Sequence, residues 1–177
     1  MFDNVKFVAT QHKKNIAAVN ALTESELHKE LANDVSKLFE SYPNLDGFVM
    51  LGWTPEWNDG EDCLHSDEVF VRPFNKSRCW GTLQEAADRV CGEDAVYAVI
   101  DDEISEYDLD EEVVAQVQDM LQWNQNLSSS DQDKLQAILN DLTTSVHECI
   151  GTDWLFIISR KPDGSAKVEH HVYECGY

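Results

Sequence analysis

DWLFIISRKPDGSAKVEHHVYEC, Asp153 to Cys175, closes the chain and decides how the rest is read. Two apolar-leaning runs, DWLFIIS and AKVEHHVYE, flank Lys161-Pro162-Asp163-Gly164-Ser165. Proline, aspartate and glycine in so short a gap are turn chemistry, so the segment predicts a β-hairpin. In the second run His170 falls between Val168 and Val172, on the face opposite His171, Glu169 and Tyr173. That spacing predicts a half-buried, hydrogen-bonded His170.

Working back from the hairpin, GFVMLGW (Gly47 to Trp53) has strand character, and EVFVR (Glu68 to Arg72) alternates as a strand does. Thr23 and Glu26 form a capping box, after which Leu27, Leu31, Val35, Leu38 and Phe39 share one helical face. A second capping box, Thr82 and Glu85, opens a helix carrying Leu83, Ala86 and Val90, with Gly92 as its stop. AVYAVI, Ala95 to Ile100, fits either a strand or a helix. Val113, Val114, Val117, Met120 and Leu121 mark another amphipathic helix. Ser130 and Asp133 open the last, with the stripe Leu135, Ile138, Leu139, Leu142 and Val146. Hairpin-like strand pairs separated by helices predict an α+β fold: an antiparallel sheet, helices packed mainly on one face, and a C-terminal β-hairpin. A chain of 177 residues is expected to form a single domain, 1–177.

Charge sets the chain apart. It carries 34 acidic and 13 basic residues, a net charge of −21, with a hydrophobic fraction of 42% that still supplies a core. A direct nucleic-acid binder shows the opposite sign, and an anionic membrane surface repels such a chain. The start, MFDNVKFVATQHKK, has no signal-peptide layout, and no window approaches the apolar length of a membrane span. Five widely spaced cysteines, with no CxxC, are then expected as reduced thiols in a cytosol.

Between Arg89 and Lys134 there is no Lys or Arg, and 13 carboxylates fall in that interval. Eight of them lie in DDEISEYDLDEE: Asp101, Asp102, Glu103, Glu106, Asp108, Asp110, Glu111 and Glu112. Ile104, Tyr107 and Leu109 interrupt the charges and give the segment an anchor. One reading is structural. Asp110, Glu111 and Glu112 stand at a helix start, where carboxylates stabilise the dipole by roughly 0.3–1 kcal/mol each, and acidic residues solubilise a surface. The other is functional: carboxylates set along a ridge imitate a polyanion and enter the basic groove of a nucleic-acid-binding protein.

WTPEWNDGEDCLHSDE, Trp53 to Glu68, is the other acidic stretch, and Pro55 and Asn58-Asp59-Gly60 mark it as a loop. Cys63 and His65 could face the same way. A zinc site would need further donors, from His147 and Cys149 or from His170, His171 and Cys175. An EF-hand is excluded by spacing, since Gly60 at loop position 6 puts Pro55, Trp57 and Ser66 where oxygen ligands are required. There is no GxSxG, P-loop, GxGxxG or HExxH. No cofactor, metal or catalytic residue is therefore expected. A metal-dependent enzyme or small-ligand protein built on the Trp53–Glu68 loop is the alternative.

Trp53-Thr54-Pro55-Glu56-Trp57-Asn58-Asp59-Gly60-Glu61-Asp62-Cys63 resembles a motif of small uncharacterised phage and bacterial proteins: aromatic-Thr-Pro-x-aromatic-Asn-Asp-Gly-acidic-x-Cys. The match covers about a dozen residues, plus the acidic, His-bearing closing hairpin. This chain departs in having tryptophan at both aromatic positions and a longer acidic middle. The resemblance implies a phage or mobile-element protein in a bacterial cytosol. By analogy with small acidic proteins of such genomes, its expected partner is a basic surface on a host nucleic-acid-binding or defence enzyme.

Overall fold

The computed structural model describes residues 3–54, 65–75, 80–104 and 107–173. Four strands, β1 (Gly47–Trp53), β2 (Ser66–Phe70), β3 (Trp154–Arg160) and β4 (Ala166–Val172), form one sheet in the order β2-β1-β3-β4. All three pairings are antiparallel. Five α-helices surround the sheet: α1 (Asp3–Ser41), α2 (Leu83–Cys91), α3 (Glu93–Ile100), α4 (Glu111–Gln122) and α5 (Ser129–Ile150). The class is α+β, and β3-β4 is the C-terminal hairpin. Its loop is held by the Lys161 amide donating to the Ser165 carbonyl at 2.8 Å, with Gly164 at φ 86°.

The helices do not gather on one face, as the sequence predicts, but divide between two. Phe48 and Met50 of β1, Val69 of β2 and Trp154, Phe156 and Ile158 of β3 face α1 and α5. Val49, Leu51, Phe70, Leu155 and Ile157 face α2, α3 and α4. The physical reason is visible in the strands. Every residue from Phe48 to Leu51 and from Trp154 to Ile158 is buried, and a strand apolar on both sides must be covered on both sides.

Close approach accounts for the two glycines of β1. A Cβ on Gly47 would stand 2.7 Å from the Ile158 carbonyl oxygen and 2.7 Å from the Trp123 ring, and one on Gly52 would stand 2.6 Å from the Trp154 ring. Glycine lets the tryptophan rings approach β1 this closely.

Other local expectations shift by a few residues or change type. Thr23 does not cap a helix: α1 runs through it, since no glycine or proline occurs before Pro43 to interrupt the helix. The predicted face nonetheless packs, with Leu31, Val35 and Phe39 buried. β2 begins at Ser66 rather than Glu68 and ends at Phe70, beyond which Arg72 makes only an isolated bridge to Thr82. Thr82 is the N-cap of α2 without a side-chain cap bond; instead Glu85 accepts from the Gly81 amide at 2.6 Å. AVYAVI is helical, in α3, with Ala95, Val96 and Ala98 buried and Tyr97 out. α5 is capped by Ser128, whose hydroxyl oxygen accepts from the Asp131 amide at 3.2 Å, not by Ser130.

Candidate functional site

The acidic segment joins α3 to α4. Asp101 is the C-cap of α3, its amide donating to the Tyr97 carbonyl at 2.9 Å. Asp102 follows in the left-handed region, φ 60°, and the Glu103 amide donates back to the Ala98 carbonyl at 2.9 Å. This is a helix-ending turn in which the left-handed position usually belongs to glycine. Asp110 is the N-cap of α4 and accepts from the Glu112 amide at 2.8 Å. Glu111 and Glu112 occupy the first turn of α4.

Asp101, Asp102, Glu103, Asp108, Asp110, Glu111 and Glu112 are all exposed, and Glu106 lies outside the described residues. Among the described residues, none of those seven pairs with Lys, Arg or His. Several described cations are engaged elsewhere: Lys37 with Asp34, Arg72 with Asp133, Lys134 with Asp131, Lys167 with Glu169, and Arg89 with Glu85 and Glu68. Two aromatic rings stand out, Tyr97 beside the segment at 52% and Tyr107 within it at 40% exposure.

The helix dipole separates these charges into two groups. Asp110, Glu111 and Glu112 lie at a helix N-terminus, where negative charge is favourable. Asp101, Asp102 and Glu103 lie at a C-terminus, where it is unfavourable, so folding gains nothing from their charge.

Histidines make two further groupings. His65 stacks on His147 with ring centroids 3.6 Å apart and planes at 15°. His65 Nδ1 sits 3.3 Å from the Thr152 hydroxyl, and His147 Nδ1 sits 2.7 Å from the Gly151 carbonyl oxygen. Burial, then the neighbouring His147, pushes the His65 pKa down. The sequence named His65 and His147 as possible co-ligands, and the fold does bring them together. Cys63, Cys175 and the Asn58-Asp59-Gly60 turn lie outside the described residues. Cys149 is exposed on α5.

The second grouping combines α1 with β4. Glu24, His28 and His170 each place one donor atom within 4.8 Å of the others. Glu24 Oε1 is 2.8 Å from His170 Nδ1. His170 is half-buried and hydrogen-bonded, as its place in the strand predicts. Its ring lies flat on Phe156, centroids 4.5 Å apart at 8°. His28 meets both rings edge-on, at 5.5 Å from Phe156 and 5.2 Å from His170. Burial, then His170, lowers the His28 pKa. His170 and Glu24 line a cavity of about 520 Å³, whose walls also include Cys149, Asp153 and Val172. In the sequence, the spacing of Glu24 and His28 puts them on one helical face. Nothing local says that His170, 142 positions further on, lies against them.

Fold and charge define the class: an α+β protein with an acidic turn that no described cation neutralises on one side of its sheet and a His/Glu cluster on the other. No protein-family model, curated protein or solved structure matches the chain.

Proposed function

We propose that the protein is an acidic, non-enzymatic binding protein that imitates the charge of a nucleic acid and covers a cationic nucleic-acid-binding surface on another protein. Asp101 to Glu112 would make the main contact, with Tyr97 beside the segment and Tyr107 within it as apolar anchors. The observation that carries this reading is the set of seven exposed carboxylates, none paired with a described cation, three of them where the helix dipole disfavours them. Unpaired anions steer toward a cationic cleft and lose little on docking, because no internal ion pair must first break. Exposed tyrosines beside such charges match the residue type that anchors protein interfaces. The motif likeness of residues 53–63 favours a phage or mobile-element origin and a host nucleic-acid or defence enzyme as the partner.

The test is capture from bacterial lysate on immobilised protein, at low and raised salt, with and without competing duplex DNA. The expected result is retention of a nucleic-acid-handling protein at low salt, released both by salt and by duplex. Substituting D101N, D102N, E103Q and D108N together should reduce capture and leave the circular dichroism unchanged. Capture indifferent to ionic strength, or undiminished in the fourfold variant, would overturn the reading.

A further inference from the structure

We propose that Glu24, His28 and His170 form a three-ligand site for a divalent transition-metal ion of the zinc class, with its open coordination position facing the cavity between α1, β4 and the end of α5. The site lies on the α1/α5 side of the sheet, away from the α3–α4 turn, so it stands or falls separately from the acidic docking surface.

Geometry comes first. Zinc bonds nitrogen and oxygen at about 2.0–2.2 Å, so a tetrahedral ion holds its ligand atoms roughly 3.3 Å apart. The three donor atoms already lie within 4.8 Å of one another, and one pair, His170 Nδ1 and Glu24 Oε1, is at 2.8 Å. The widest separation exceeds the tetrahedral one by at most about 1.5 Å, a gap of the size that side-chain rotation can close.

The chemistry of the donors narrows the ion to the borderline divalent transition metals. Two imidazoles and one carboxylate form the ligand set of open, three-ligand zinc centres. Hard cations such as magnesium and calcium prefer all-oxygen shells, and copper(I) prefers sulfur.

His28 supplies an independent observation. Its Nε2 is buried and has no hydrogen-bond partner. A buried polar atom left without a partner costs stability unless something satisfies it, and a bound ion or its water would. The surroundings also hold the ligands in place. Phe156, fully buried, stacks on His170 and meets His28 at its edge, which limits the ring rotations open to both. Glu24 and His28 are one helical turn apart on a continuous α1.

The open side is a space and not a wall. Glu24 and His170 line the 520 Å³ cavity, with Asp153 on its rim. Asp153 is held at φ 66°, its Oδ1 accepting from the Thr54 amide at 3.4 Å and the Thr152 hydroxyl at 3.2 Å. A water molecule or a small anionic or carbonyl ligand fits the fourth position there.

The experiment uses the full chain, stripped with a chelator and titrated with zinc(II) against a competing chromogenic chelator, and in parallel with cobalt(II). One zinc per chain is expected, with visible cobalt d–d bands of a four-coordinate nitrogen/oxygen site lacking thiolate charge transfer. Glu24→Gln, at an exposed position, keeps the fold and should weaken zinc at least about tenfold; His28→Gln and His170→Gln should do the same. Histidine 15N shifts should move at His28 and His170 on adding zinc. H65Q, and the fourfold variant of the acidic turn, should leave stoichiometry and affinity unchanged. Binding that scales with the number of surface carboxylates, survives E24Q and H170Q, or disappears in H65Q would overturn the assignment, as would the absence of stoichiometric binding.

Discussion

Asp46 and Asn124 exchange hydrogen bonds in both directions: the Asp46 amide donates to Asn124 Oδ1 at 2.7 Å, and the Asn124 amide donates to Asp46 Oδ2 at 2.7 Å. Asn124 Nδ2 also donates to the carbonyls of Gly47 at 2.7 Å and Val71 at 2.8 Å. One fully buried side chain thus joins the α4–α5 connection to the start of β1 and the end of β2. Its φ of 60° is one that asparagine tolerates better than most residues. Asn124→Ala would leave buried peptide groups of two strands unsatisfied and keep an alanine in a left-handed conformation. A loss of roughly 3 kcal/mol is expected in urea unfolding. Asn124→Gly, which restores only the backbone freedom, should recover a minor part of it.

Arg160 closes the end of α1 from the sheet. Its guanidinium donates to the carbonyls of Phe39 and Tyr42, each at 2.8 Å, and of Leu45 at 3.0 Å, while lying 4.7 Å above the Phe39 ring. Those acceptors are helix-end and turn carbonyls, of which that of Tyr42 also accepts from the Leu45 amide at 3.0 Å. Arg160→Met keeps the apolar stem and removes the donors, so a loss of about 2 kcal/mol is expected. Arg160→Lys should recover less than half of it, because one ammonium cannot reproduce the planar fork.

Asp110 and Asp102 should separate folding from binding. Asp110→Ala removes the cap of α4 and should lower stability by about 1 kcal/mol. Asp102→Gly relieves a left-handed aspartate and should raise stability by up to about 1 kcal/mol, while weakening partner capture. A stabilised variant with undiminished capture would remove Asp102 from the contact.

Asp88 should make stability fall as pH rises. Its Oδ1 is buried without a hydrogen-bond partner. Desolvation, followed by the nearby Glu93 and Glu85, pushes its pKa up to about 6 from an ordinary 3.8. The folded chain therefore holds this proton more tightly than the unfolded chain, and the penalty for ionising it grows between those two values. Asp88→Asn should be more stable than the parent at pH 7 by on the order of 1 kcal/mol, allowing for solvent screening of a half-exposed group. The difference should vanish below pH 4. Urea unfolding of both proteins across that range checks the sign.

Cysteine labelling should follow burial. Desolvation raises the Cys91 thiol to about 11, whereas Cys149 is exposed. Site-resolved alkylation at pH 8 should therefore modify Cys149 well before Cys91, since the thiolate is the reactive form. Equal rates would mean that α2 opens readily from the sheet.

Much of the architecture is legible without coordinates because it is local. The loop at Lys161 to Ser165 dictates a hairpin, the continuous apolar runs in β1 and β3 dictate interior strands, and the leucine and valine stripes dictate amphipathic helices. The same runs also imply that both sheet faces are covered, an implication the prediction of mainly one-sided packing passes over. AVYAVI is ambiguous because a six-residue apolar run fits either period; its burial under the sheet as a helix is a tertiary choice. Charge is equally plain in the sequence. What the sequence by itself determined is most of the elements, their order and an acidic turn with no basic residue near it in the chain. Only the tertiary structure decided which distant residues meet: His170 with Glu24 and His28, His65 with His147, and Asn124 with Asp46 and Val71. Periodicity reports which face of an element is buried, and a contact between elements depends on how those faces pack, which no local pattern encodes.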